Sequence, residues 1–230
     1  MASIITAFAV PIVTLELEGA DALNAQLRQL FLECEQQGSK YANPDPYTQR
    51  NPALFESAFN LFDWNHPAVA KLQEFCLSSL YQAIGELNGY DQQTLQKLHV
   101  AHESWFHVTR KGGYFATHNH PMHSWSGVYC VCQEGDDPDS DSGRLTFQSP
   151  FAANTMFLDM ALMNLKPPYQ IGSIPARLKP GQLLLFPSWL LHSVSAFEPK
   201  QDGLRITVAF NTHFRMQGVE RHAPAFPSHR

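Results

Sequence analysis

Three histidines lie close together near the middle of the sequence, at His118, His120 and His123. His118 and His120 are two residues apart, and side chains at that spacing point to the same side of a β-strand. Two neutral imidazoles on one side of an extended segment can bind a single metal ion. Because Fe, Zn, Cu and Ni all accept imidazole ligands, the spacing indicates a candidate metal site but does not name the metal.

A third ligand must come from another part of the chain, and the best candidate is His192. This residue ends the segment P-G-Q-L-L-L-F-P-S-W-L-L-H at positions 180–192. The next segment, G-L-R-I-T-V-A-F-N at 203–211, is predicted to be a strand with Arg205 near its start. The chain thus combines a histidine pair, a distal histidine and an arginine on the following strand.

This ordered set resembles the Fe(II)/2-oxoglutarate-dependent oxygenases. H-x-H-P at 118–121 and S-G-V-Y at 126–129 are similar to a small bacterial and phage branch of that family, which has H-x-H-P followed by S-G-V-Y-Y-V. The resemblance covers about residues 100–215. It implies a double-stranded β-helix, Fe(II) and 2-oxoglutarate as cofactors, and hydroxylation of a substrate with release of succinate and CO2.

The resemblance also implies that His118 and His192 bind the iron. It places His120 at the position where the family usually has a carboxylate, and three alternatives remain open for the third ligand. His120 is itself the ligand, or a carboxylate from Glu103 or Asp159 completes the site, or His120 only lines the pocket. A polar loop that binds no metal is the alternative to all three.

The resemblance also implies that a second group of residues binds 2-oxoglutarate. The family has an arginine on the strand after the distal histidine that binds the distal carboxylate, and Arg205 stands at that place. Apolar residues alternate with it, so Arg205 and Thr207 share one face of the strand, and Thr207 is a further candidate donor. Tyr129 and Ser126 are also candidate cofactor contacts. The sequence does not decide whether Tyr129 or Cys130 faces the site.

The elements that position these residues are predicted to be mostly β-strands with flanking helices. Helical periodicity predicts amphipathic helices at 20–35 and 67–87, and from Lys97 the period changes to two. Short strands separated by Gly/Pro turns are typical of an antiparallel jelly roll, cupin-like in architecture. The predicted strands are 4–17, 60–64, 97–108, 125–132, 144–147, 172–178, 182–186 and 204–214.

We expect one oxygenase domain over residues 1–230. It would comprise an N-terminal strand and supporting helices at 1–96, a jelly-roll core at 97–216 and a loosely held tail at 217–230. The stretch 133–142, Q-E-G-D-D-P-D-S-D-S, is predicted to be a solvated loop.

Composition limits the partners and the compartment. The formal net charge is −5, which is not the charge of a nucleic-acid-binding protein, and no run of lysine and arginine indicates membrane docking. We find no signal peptide and no apolar run long enough for a membrane span, so we expect a cytoplasmic protein whose four cysteines are free.

The sequence indicates only that the substrate is a small molecule or a peptide. It leaves open whether the protein forms a homodimer. His123 is interpreted either as a residue that supports the metal ligands without binding the metal or as a residue that faces the substrate. Trp125, Trp189 and Phe151 could line an apolar approach, although core packing explains them equally well.

Two functions from other classes compete with the oxygenase. One is a cupin-like three-histidine metalloenzyme that does not use 2-oxoglutarate, and the other is a non-catalytic jelly-roll binding protein. The first has no need of an anchoring arginine, so the placement of Arg205 discriminates against it. Metal content after purification addresses the second.

Overall fold

The computed structural model describes residues 4–135, 137, 139–151 and 157–217. Within them are three helices, α1 (Asp21–Gln36), α2 (Pro67–Asn88) and α3 (Gln92–Gln96). The ten strands are β1 (Val13–Glu16), β2 (Leu54–Glu56), β3 (Leu98–Thr109), β4 (Phe115–His118), β5 (Trp125–Gln133), β6 (Leu145–Phe147), β7 (Ile174–Ala176), β8 (Gln182–Pro187), β9 (His192–Val194) and β10 (Arg205–Met216).

The strands form two antiparallel sheets. The larger sheet has six strands in the order β1-β8-β5-β10-β3-β2, and the smaller has four in the order β4-β9-β6-β7. From β3 to β6, and again from β7 to β10, consecutive strands alternate between the two sheets, as in a double-stranded β-helix. The predicted fold class, a jelly roll with flanking helices, is confirmed.

The large sheet is sandwiched between the helices and the small sheet. On β10, Ile206, Val208 and Phe210 are fully buried in the core that also contains residues of α1 and α2. Because side chains alternate along a strand, Arg205 and Thr207 point to the opposite face, toward the small sheet. A second, smaller apolar cluster, which includes Cys130 and Phe186, lies on that side.

Local signals in the sequence explain the boundaries of α2. His66 caps its N-terminus, where the imidazole Nδ1 accepts a hydrogen bond from the Ala68 N–H at 3.2 Å, and Pro67 occupies the first turn. Gly89 ends the helix with a φ of 65°, a left-handed conformation that glycine adopts without steric cost.

The structure differs locally from the predicted elements, and it adds the short strands β4 and β9 to the predicted set. The segment 60–64 contains a short 3₁₀ helix, Leu61–Asp63, in which the Asp63 and Trp64 N–H groups donate to carbonyls three residues earlier. The three-residue strand β2 and the one-turn helix α3 were too short to be predicted. The proposed N-terminal strand at 4–17 is reduced to β1.

All four cysteines are free, as predicted. In the described part of the chain, we find no helix that is both long and apolar enough to cross a membrane. Most of the predicted tail lies outside the described residues, as do two positions in the predicted loop at 133–142.

Candidate active site

Two histidines meet where the strands of the small sheet pair. His118 is the last residue of β4 and His192 is the first residue of β9, and the two are directly paired in the register of these strands. His120 lies two residues beyond β4, where its backbone N–H donates a hydrogen bond to the Ser188 carbonyl at 2.9 Å. The structure thus places the three histidines close together.

The three imidazoles are close enough to share one ion. One ring nitrogen of each residue lies within 4.8 Å of the corresponding nitrogens of the other two. The ring centroids of His118 and His192 are 4.3 Å apart, and each is 5.1 Å from the His120 ring. Neither Glu103 nor Asp159 joins this group among the described residues, so the histidine triad is the candidate ligand set.

Backbone carbonyls orient two of the rings. The His118 Nδ1 lies 2.8 Å from the Ala116 carbonyl oxygen, and the His192 Nδ1 lies 2.8 Å from the Leu190 carbonyl oxygen. A carbonyl only accepts, so each Nδ1 carries the proton and each Nε2 keeps its lone pair for a ligand bond. This arrangement is the usual support for a metal-binding histidine.

Burial keeps the three rings neutral. It lowers the pKa of His120 to about 2 and the pKa of His192 to about 4, with a further contribution from neighbouring histidines. Burial also lowers the pKa of His118. A neutral imidazole is the form that binds a metal ion, so the site is ready for a cation without first losing protons.

The triad opens into a cavity of about 630 Å³ between the two sheets. Arg205 lies at one end of this cavity and is only 4% exposed. Thr207, next on the same face of β10, is also buried and lines the cavity. The structure therefore brings the predicted arginine, the predicted hydroxyl and the three histidines to one cavity.

Tyr129 does not belong to this site. It is fully buried on the helix side of the sheet, where its hydroxyl donates a hydrogen bond to Asn24 Oδ1 of α1 at 2.8 Å. The neighbouring Cys130 faces the small sheet instead. The assignment of Tyr129 to the cofactor is therefore corrected, because the alternation of β5 directs its ring away from the cavity.

We expect Tyr129→Phe to lower stability and leave cofactor binding unchanged. The substitution removes one buried hydrogen bond and leaves the Asn24 side chain without that donor, at a cost of about 1–2 kcal/mol. Chemical denaturation would measure the stability, and calorimetric titration would measure affinity for 2-oxoglutarate. A folded variant with weakened 2-oxoglutarate binding would return Tyr129 to the site.

Ser126 faces the small sheet, but its hydroxyl is engaged behind the cavity wall. It lies 2.8 Å from the Ser188 hydroxyl and donates to Asn211 Oδ1 at 2.7 Å. Asn211 lines the cavity, whereas Ser126 is not among the described lining residues. The predicted direct contact of Ser126 with the cofactor is therefore corrected to a supporting contact with Asn211.

Sequence analysis missed a buried polar network beside the cavity. The Trp105 indole donates to His107 Nε2 at 2.8 Å, and Glu56 Oε2 lies 3.2 Å from the same nitrogen. Glu56 also pairs with Arg50 and accepts from Asn43 at 2.7 Å. Burial raises the pKa of Glu56, but its contacts with His107, Asn43 and Arg50 together lower that pKa to about 2.

Part of this polar network could be recognised in the sequence from the alternation of residues along β3. Glu103, Trp105 and His107 alternate along β3, so they share one face, and all three line the cavity. His107 is a hydrogen-bonded histidine of the large sheet, and it also lines the cavity. Glu56 had no such signal because β2 is only three residues long.

Comparison with known proteins agrees with this geometry. Residues 103–211 match the family model described as "Putative 2OG-Fe(II) oxygenase". A search of curated proteins gives no match.

Several solved structures are similar in fold. A Pseudomonas putida prolyl-4-hydroxylase is 18% identical, with a TM-score of 0.55 over 91% of this chain and 94% of that one. A Trichoplax adhaerens prolyl hydroxylase, in complex with a hypoxia inducible factor peptide fragment, is 12% identical, with a TM-score of 0.57 over 87% and 82%. HygX from Streptomyces hygroscopicus, with nickel, 2-oxoglutarate and hygromycin B bound, is 11% identical, with a TM-score of 0.51 over 88% and 83%.

At these identities the structural similarity shows a shared fold. The family match covers the stretch from β3 to β10 that contains the histidine triad and Arg205. Residues 103–211 are therefore similar in sequence to the 2OG-Fe(II) oxygenase family, and the chain as a whole is similar in fold to the solved structures above.

Proposed function

We propose that the protein is an Fe(II)- and 2-oxoglutarate-dependent hydroxylase in which His118, His120 and His192 bind the iron. Arg205 and Thr207 bind the distal carboxylate of 2-oxoglutarate. The observation that carries the proposal is the shared cavity, in which a buried arginine and a triad of neutral histidines face the same space.

The donor set fits the metal. His118, His120 and His192 would hold the ion through three imidazoles, which would leave room in its coordination shell for 2-oxoglutarate and O2. Because backbone carbonyls orient the rings of His118 and His192, their Nε2 lone pairs are already held in place in the absence of metal. The ligands therefore need little rearrangement to bind the ion.

The inner end of the cavity fits 2-oxoglutarate. A dicarboxylate needs a cation at the end away from the metal, and Arg205 supplies a planar fork that can bind a carboxylate through two hydrogen bonds. The cavity wall includes apolar side chains that suit a methylene chain: Phe115, Leu145 and Val194.

When bound, iron and 2-oxoglutarate supply oxidative decarboxylation to succinate and CO2, coupled to oxygen insertion into a substrate. The chain itself contributes position and exclusion of water. Arg205 fixes the far end of the cosubstrate, the triad fixes the near end, and the buried walls keep solvent from the space between them. The substrate is proposed to be a small molecule or a segment of a peptide, the two classes bound in similar folds.

The proposal is tested by substrate-stimulated formation of succinate. The purified chain would be incubated with Fe(II), ascorbate, O2 and 2-oxoglutarate, with libraries of metabolites and peptides. Binding of 2-oxoglutarate to the Mn(II)-loaded protein would be titrated in parallel, because binding does not need the correct substrate. A protein that binds metal but has no measurable affinity for 2-oxoglutarate would instead be a cupin-like metalloenzyme.

His120→Asp is expected to retain stoichiometric iron, whereas His120→Ala is expected to bind it more weakly. An aspartate at this position restores the set of two histidines and one carboxylate that Fe(II) oxygenases commonly use. Metal analysis after anaerobic loading would compare the variants, with circular dichroism to confirm folding. If the alanine variant binds iron as tightly as the original chain, His120 only lines the pocket.

A further inference from the structure

The cavity extends on both sides of the histidine triad. Arg205 pairs with Thr109 across β10 and β3, and Asn211 pairs with Glu103 six residues further along. At about 3.3 Å per residue, these two ends are about 20 Å apart. The triad lies between them, since the His120 ring contacts Trp105, which pairs with Ala209 in the middle of this stretch.

The two ends carry opposite charge. Among the described residues that line the cavity, Arg205 is the single arginine or lysine. The outer end contains Glu103, whose side chain is 49% exposed and whose Oε2 lies 3.7 Å from His123 Nε2. Glu56, the other acidic residue in the wall, is already paired with Arg50. Glu103 therefore remains accessible to a ligand.

Aromatic rings line the cavity beside the triad and toward Glu103. Phe59 and Trp105 are in contact, with ring centroids 4.4 Å apart, and both line the cavity. Tyr47 is 84% exposed and lines the cavity as well. A carboxylate and aromatic rings in the wall of one cavity favour a cation that is attached to an apolar group, since the carboxylate and the ring faces both attract the cation.

We propose that the outer end of the cavity binds a substrate with an amine or guanidinium group next to an apolar body. Glu103 binds the cation, and Phe59, Trp105 and Tyr47 pack against the apolar part. The inference rests on the proposed function, in which 2-oxoglutarate occupies the inner end at Arg205. With the dianion there, the acidic outer end selects against a second anion and orients a cationic substrate across the metal.

The test uses three probes of nearly equal shape: 3-phenylpropylamine, 3-phenylpropan-1-ol and 3-phenylpropanoate. Each would be titrated into the full chain loaded with Mn(II) and 2-oxoglutarate. Relaxation of the probe protons by Mn(II) reports binding near the triad. We expect the amine to bind about three- to tenfold more tightly than the alcohol, and the propanoate to bind most weakly.

Glu103→Gln keeps the shape of the side chain and removes its charge, so it should abolish the preference for the amine over the alcohol. Glu74→Gln is the matched control, because Glu74 is exposed on α2, on the far side of the large sheet. Equal binding of amine and alcohol to the original chain, a preference that persists in Glu103→Gln, or binding without relaxation by Mn(II) would each overturn the inference.

The same samples separate this inference from the proposed function. Titration of 2-oxoglutarate into the Mn(II)-loaded chain tests the cosubstrate site independently of the probes. Normal 2-oxoglutarate binding without selection of the amine would reject the cationic substrate alone. Selection of the amine by protein that does not bind 2-oxoglutarate would reject the oxygenase assignment and keep the cation site.

Discussion

Arg205→Ala is expected to weaken the binding of 2-oxoglutarate by roughly 30- to several-thousand-fold. Arg205 is 4% exposed at the inner end of the cavity, so a bound carboxylate would be largely removed from water there. Truncating one partner of a buried, hydrogen-bonded charge pair costs about 2–5 kcal/mol. Each 1.4 kcal/mol changes the affinity about tenfold, so this cost corresponds to the expected loss of roughly 30- to several-thousand-fold.

Calorimetric titration of Mn(II)-loaded protein with 2-oxoglutarate, or with its analogue N-oxalylglycine, would measure this loss. Arg205→Lys should recover only part of the affinity, because a point charge cannot reproduce the planar fork. Arg215→Ala is the matched control, since Arg215 is exposed near the other end of β10. Iron content should be unchanged in all three variants. Equal affinity of Arg205→Ala and the original chain would remove the anchor and favour a cupin-like enzyme.

His118→Ala and His192→Ala are each expected to lower iron affinity by more than about 100-fold. Losing a residue that merely supports a ligand typically costs about 10–100-fold, and losing the ligand itself should cost more. Both residues are mostly buried and hydrogen-bonded through Nδ1, so each holds a fixed Nε2 donor that no neighbour can replace.

Metal analysis and competition with a chelator of known affinity would measure the loss. His99→Ala serves as the control, because His99 is exposed on β3 and does not line the cavity. A variant of either ligand that retains stoichiometric iron under competition would show that the residue in question does not bind the metal. Thermal unfolding of the metal-free proteins would separate loss of the ligand from loss of the fold.

Several features of the site could be predicted from the sequence. The i, i+2 spacing of His118 and His120 indicated convergence, and the distal His192 completed the pattern. The apolar residues that alternate with Arg205 and Thr207 showed that these two share a face, because successive side chains of a strand point to opposite sides. These inferences needed only local geometry and the order of motifs along the chain.

The sequence determined that Tyr129 and Cys130 face opposite sides of β5, but only the tertiary structure decided which of them faces the cavity. Alternation is relative, and the absolute direction depends on which face of the sheet the helices cover. The outcome is set by α1, where Asn24 accepts the Tyr129 hydroxyl from 105 residues away in the chain. The same limit applied to Glu56, which meets His107 only because β2 pairs with β3. Contacts between elements so distant in sequence depend on packing, and no local periodicity records them.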